Sequence, residues 1–266
     1  MYHSIADSPD DPYQVTVSPV RFARQLHWLG DRGLRGVSVR ELLAATAAGR
    51  ARGLVGLTFD DGYADFLESA VPLLRRHGFT ATVYVLPGRL GGDNGWDTRG
   101  PRKRLLDEDG IRRAAAAGME IGSHGLHHVD LVALADRAGG PGSAGGTGGT
   151  SGTHSAVGTA DALLAETRHS RELIEEITGN RVEGFCYPYG KVDARVVRAV
   201  RKAGYRHACA IDPGPLSSAF ALPRVHLGEA DTAWRLTAKR VLHPLRRRQP
   251  ADVIPARSGP ARAVLS

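Results

Sequence analysis

The chain has 266 residues, 42% hydrophobic and 24% charged, with a formal net charge of +7 and two cysteines. That length buries one substantial core and suits a single catalytic domain, while two cysteines exclude a disulfide framework and read as buried thiols. No uninterrupted apolar run reaches the roughly 18 to 20 residues that span a bilayer, and Met1-Tyr2-His3-Ser4 carries no basic and apolar leader. As written, the chain reads as cytoplasmic; a true start upstream of Met1 would make it an exported protein.

In chain order, Ser18-Pro19 opens a helix whose apolar residues Phe22, Leu26 and Leu29 recur at helical spacing. A second helix is predicted over 39–48, a buried strand over 54–59, and a helix over 64–76 in which Pro72 starts a new turn. Residues 79–86 are strongly β. Asp107 caps a helix that Gly118 ends, and 119–123 is the next short strand. The alternation resumes with a helix over 160–178, a strand over 183–187, a helix over 194–203 and a strand over 205–211. Such order predicts a parallel sheet, most simply closed into a barrel that occupies residues 1–245.

Two segments stand outside this rhythm. Residues 138–158 are almost wholly Gly, Ser, Thr, Ala and Pro, a composition that buries too little apolar surface to order itself and reads as a flexible insertion. Basic residues gather late, at Lys239, Arg240, Arg246, Arg247 and Arg248, and 246–266 reads as a disordered tail. Their charge suits weak contact with anionic surfaces, or simply a solvated helix face. No aromatic residues interleave with them, which argues against specific nucleic-acid binding.

The chemistry concentrates at predicted strand ends. Asp60 and Asp61 follow the apolar run Leu57-Thr58-Phe59, His124 and His128 follow Ile121-Gly122-Ser123, and Tyr189 follows the strand near Cys186. In parallel barrels the C-terminal strand ends share one face, so these side chains converge. Two imidazoles and one carboxylate make an open-sided site for a divalent ion, most simply zinc, with cobalt or another divalent ion as substitutes. Bound water there loses a proton near neutral pH, and the second carboxylate of the pair is then available as a base. His127, one residue before His128, points away from the ligand direction.

These motifs resemble the polysaccharide deacetylase family, also called carbohydrate esterase family four or the NodB-homology domain. Thr58-Phe59-Asp60-Asp61-Gly62 matches the first family motif, and the resemblance makes Asp60 the base and Asp61 a ligand. His124-Gly125-Leu126-His127-His128 matches the second, with His124 and His128 as ligands; Gly125 replaces the usual hydroxyl residue, which removes a loop-bracing hydrogen bond. Cys186-Tyr187-Pro188-Tyr189-Gly190 matches the third, implying that the Tyr189 backbone N–H stabilises an oxyanion. Many members place an arginine where this chain has Cys186, so Arg224, in Leu222-Pro223-Arg224-Val225-His226, is predicted to supply the missing guanidinium. His226 falls at the family's general acid. The fourth motif has no clear counterpart; Asp212-Pro213-Gly214 lies near its place. Trp96 lies on a long loop, either to stack on a sugar or to anchor that loop.

The resemblance implies a distorted (β/α) barrel of about seven strands that hydrolyses N-acetyl groups of an acetylated amino-sugar glycan or glycoconjugate. Two other readings stay open: a carbohydrate-binding pseudoenzyme of the same fold, and an iron oxygenase with two histidines and one carboxylate on its metal.

Overall fold

The computed structural model describes residues 1–8, 10–139 and 161–246. Its centre is a five-stranded, all-parallel sheet in the order β5 (Thr58–Phe59), β6 (Thr82–Val85), β7 (Glu120–Ser123), β8 (Gly184–Cys186), β9 (His207–Cys209). The helices Val71–Arg76, Glu108–Ala116, Ser170–Thr178 and Ala194–Lys202 fall between successive strands. Every residue of these strands is buried, so neither face of the sheet shows the polar alternation of a half-exposed strand.

The expectation of about seven strands is met by five, and the reason is visible at the two edges. Beyond β5 the N-terminal segment makes a single parallel bridge, Tyr2 with Phe59; beyond β9 the chain returns for a single bridge, Cys209 with Leu222. Both segments lie where further strands would, yet each pairs through too few residues to form a ladder. Two short parallel pairs, β1 (Ser4–Ile5) with β2 (Thr16–Val17) and β3 (Arg35–Val37) with β4 (Leu54–Gly56), flank the sheet. The predicted strand over 54–59 is therefore two strands: the Leu57 N–H donates to Val37, while its carbonyl accepts from Thr82, so the chain changes partners at that residue.

Several local predictions hold in detail. The helix Pro19–Gly30 begins with Ser18 accepting from Arg21 N–H and buries Phe22, Leu26 and Leu29. Asp107 caps Glu108–Ala116 by accepting from Gly110 N–H. In two predicted helices a turn is widened to π form, at Phe66–Ala70 and Ala165–His169, a local insertion often found at functional sites. The helix Leu131–Gly139 was not predicted and reaches two residues into the expected insertion; the remainder of that insertion lies outside the described residues. The helix Ala233–Arg246 carries the first part of the basic run, and the predicted tail beyond it is likewise outside them. Among the described residues no helix is long and apolar enough to cross a membrane. Cys186 and Cys209 are buried free thiols in register on neighbouring strands.

Candidate active site

The C-terminal ends of β5, β7 and β8 deliver Asp60 and Asp61, His124 and His128, and Tyr189 to one place. Asp61 Oδ1 lies 3.3 Å from His124 Nε2 and 3.3 Å from His128 Nε2. All three residues are buried, and among the described residues Asp61 Oδ1 has no hydrogen-bond partner. Three ligands about 2.1 Å from a shared tetrahedral ion stand about 3.4 Å from one another, so both imidazoles lie at that spacing from Asp61, and all three donor atoms fall within 4.8 Å of one another. His124 is oriented by its other ring nitrogen, Nδ1, 2.9 Å from the Cys186 carbonyl, the usual device for aiming a ligating imidazole. The donor set therefore fits a divalent ion.

Backbone strain marks the same residues. Of the four non-glycine residues with positive φ among the described residues, Asp61 (69°), His128 (64°) and Tyr189 (59°) belong to this cluster. Each costs of order 1 kcal/mol or more unless the surroundings impose it, and here sheet ends and loops hold all three.

Asp60 points to a different partner. Arg224 Nη1 and Nη2 donate to its two oxygens at 2.6 and 2.8 Å, a bidentate pair whose side chains are 7% and 5% exposed. The same guanidinium donates to Thr58 Oγ1 at 3.1 Å and to the Ala210 carbonyl at 3.1 Å, and lies 3.0 Å from Cys186 Sγ. Arg224 thus reaches Asp60 from the chain beyond β9, next to Cys186. Burial raises the Asp60 pKa, but the Arg224 charge and hydrogen bonds outweigh it and hold the carboxyl well below its ordinary range. Asp60, His124 and Cys186 form a second cluster of metal-donor type; the guanidinium already lies against two of its members, so a cation occupies that charge.

His226 lies beside His3, ring centroids 5.9 Å apart. Burial, followed by His3, the N-terminal ammonium and Lys239, lowers its pKa to about 4. His3 is a residue the sequence reading missed. It is partly exposed, its Nδ1 is sealed from solvent without a partner, and the charges of Asp61 and Asp60 act on it. The bridge of Tyr2 to Phe59 puts it beside the carboxylates, and a histidine directly after an apolar aromatic at a strand edge was the available signal. Trp96 stacks on the His128 ring at 4.4 Å, and Tyr189 meets that ring edge-on at 4.6 Å. Trp96 therefore packs on His128 from the long loop. His127 is exposed, as expected. A cleft of about 620 Å³ adjoins the cluster, bounded by His128, Tyr189, Leu126, Asp130, Arg137 and Lys191.

A curled parallel sheet with a paired carboxylate and two histidines at its C-terminal end is the architecture of a hydrolase of the NodB type. Comparison makes this specific: the polysaccharide deacetylase family model matches residues 48–208, and the chain belongs to that family, whose members hydrolyse carbon–nitrogen bonds of acetamido sugars. The chain is 25% identical over 232 residues to YxkH of Bacillus subtilis (strain 168), a protein assigned to the polysaccharide deacetylases, covering 85% of this chain and 70% of that one. It is 20% identical over 219 residues to the poly-beta-1,6-N-acetyl-D-glucosamine N-deacetylase of Staphylococcus aureus (strain MSSA476), covering 80% and 68%. The fold matches the Streptococcus pyogenes deacetylase PplD, solved in complex with acetate, with a TM-score of 0.67 at 20% identity, over 90% of this chain and 95% of that one.

Proposed function

We propose that this protein is a divalent-metal-dependent, most simply zinc-dependent, N-deacetylase of a polymer or oligomer of N-acetylglucosamine, in a catalytic unit formed by residues 1–245. The observation that carries this reading is the buried, unpartnered Asp61 Oδ1 with two imidazole nitrogens at 3.3 Å, next to a second carboxylate clamped by Arg224. In it Asp61, His124 and His128 hold the ion, which when bound polarises the acetyl carbonyl and makes water acidic enough to attack.

Asp60 takes the proton of the attacking water. Its clamp trades basicity for certainty: a carboxylate held this firmly is a weaker base than one poised near neutrality, but it is always ionised and always in one orientation. The Tyr189 N–H faces the developing negative oxygen, a kind of contact worth about 10² to 10³ in turnover when lost. The strained φ of Tyr189 supports that role, because the turn is held against its own preference. In this reading His226, with His3 beside it, serves the departing amine; its pKa, lowered by burial to about 4, leaves it a neutral imidazole in the free protein, so the proton it delivers is the one that Asp60 takes from the attacking water and passes on.

The parallel scaffold and the family match leave the oxygenase reading without support. The glycan is proposed from the activity of the Staphylococcus aureus relative. The test is acetate release from β-1,6-linked N-acetylglucosamine oligomers and from chitin oligomers, with zinc-loaded and chelator-treated protein. Release that requires metal and prefers the β-1,6 linkage supports the reading. No release from either glycan by loaded protein overturns it in favour of the non-catalytic binder.

A further inference from the structure

Building on the metal site just proposed, we infer that Glu166 is a positioning residue for the two histidine ligands, supplying the loop brace that glycine at position 125 removes. The loop between His124 and His128 has to end in a left-handed residue, His128, so its shape must be imposed. Glu166 does this from a distant element. Its side chain is buried, and Oε2 accepts from the N–H groups of Leu126 at 2.7 Å and His127 at 3.2 Å.

The adjoining N–H belongs to the same device. Gly125 N–H donates to Ser123 Oγ at 3.2 Å, and Ser123 Oγ lies 2.9 Å from Ser170 Oγ. Thus the three consecutive N–H groups between the histidines are all tied, directly or through Ser123, to one helical segment. The widened turn Ala165–His169 carries Glu166, and the helix Ser170–Thr178 that follows carries Ser170. Gly125 is itself part of the arrangement: at φ +85°, a Cβ there would come within 2.8 Å of Glu166 Oε2. A hydroxyl-bearing residue at 125 and a carboxylate at 166 compete for one space, and this chain has the carboxylate.

A brace of this kind sets ligand geometry, so its loss is read in metal affinity and not only in stability. Zinc binding to the full chain is measured by competition with a chromophoric chelator for wild type, Glu166→Ala, Glu166→Asp, Glu166→Gln and the exposed control Glu172→Ala. Thermal unfolding of each metal-free protein is recorded in parallel. Loss of an outer-shell partner costs about 10- to 100-fold in metal affinity, which is the loss expected for Glu166→Ala and for Glu166→Asp, whose carboxylate is one methylene short. Glu166→Gln keeps an acceptor oxygen and restores most of the affinity; Glu172→Ala matches wild type. If Glu166→Ala fails to fold, Glu166→Asp carries the comparison. A folded Ala or Asp variant that binds zinc as tightly as wild type overturns the assignment, as does a Gln variant as weak as Ala. Wild type that binds no zinc would instead overturn the proposed metal site, which separates the two failures.

Discussion

Replacing Arg224 by methionine removes the partner of a buried carboxylate while keeping an apolar stem in its place. Asp60 is then left 5% exposed without its hydrogen-bonded cation, and breaking a buried pair in this way costs about 3 to 5 kcal/mol. At about 2 to 4 °C per kcal/mol for chains near this size, the melting temperature should fall by roughly 6 to 20 °C. The pH dependence carries a sign. Arg224 holds the folded pKa of Asp60 below its unfolded value, so this pair stabilises wild type above the ordinary carboxyl pKa of 3.8 and the contribution is lost as pH falls below it. In Arg224→Met burial is opposed only by the lesser charges of His124 and His3, so the Asp60 pKa rises and protonation relieves the variant as pH falls. The gap in melting temperature between the two proteins should therefore shrink from pH 7 to pH 4. Combining Arg224→Met with Asp60→Asn should cost less than the sum of the single changes, since neither charge is then stranded. Thermal unfolding at both pH values supplies the measurement, with acetate release falling by as much as about 10² to 10⁴, the loss expected for a missing base. A gap below about 1 kcal/mol that does not vary with pH, the range of an exposed pair, would refute the reasoning.

Tyr189→Gly relieves a left-handed residue while keeping the backbone N–H; stability should change by less than about 1 kcal/mol and acetate release should stay within about tenfold. A loss near 10² to 10³ would show that the phenol ring, not the N–H, serves the reaction. Burial raises the Cys186 pKa and raises that of Cys209 to about 12, so neither thiol should react with a maleimide in the native protein, and both should react in denaturant; rapid native labelling would contradict the described packing. His226 has its folded pKa lowered to about 4 against an ordinary 6.5, so the unfolded chain takes up its proton first. Wild type should accordingly lose more stability than His226→Gln between pH 7 and pH 5, and equal losses would show that His226 is not held neutral.

Much of the site was legible because its residues sit directly after strands. Asp60, Asp61, His124 and Tyr189 follow short apolar runs, and a parallel sheet gathers such positions at one end. Arg224 was expected from the resemblance, because many family members open the third motif with an arginine where this chain has Cys186; the structure brings it to Asp60 from the segment in which Leu222 bridges to Cys209. What escaped prediction depends on tertiary geometry without a local pattern. His3 joins the carboxylates through one bridge, too short to register as a strand. Glu166 reads as an ordinary helix residue, and its burial and the hydrogen bonds it accepts from Leu126 and His127 become visible only in three dimensions. The strand count differed because single bridges at both edges look, in sequence, like the ends of full strands.

The central claim, that Asp61, His124 and His128 hold one ion while Asp60 acts on the attacking water, is tested most directly by metal stoichiometry and acetate release measured together on Asp60→Asn and Asp61→Ala. The account predicts that Asp60→Asn retains one zinc per chain while turnover falls by about 10² to 10⁴, and that Asp61→Ala loses both. Zinc retained by Asp61→Ala and abolished in Asp60→Asn would contradict it.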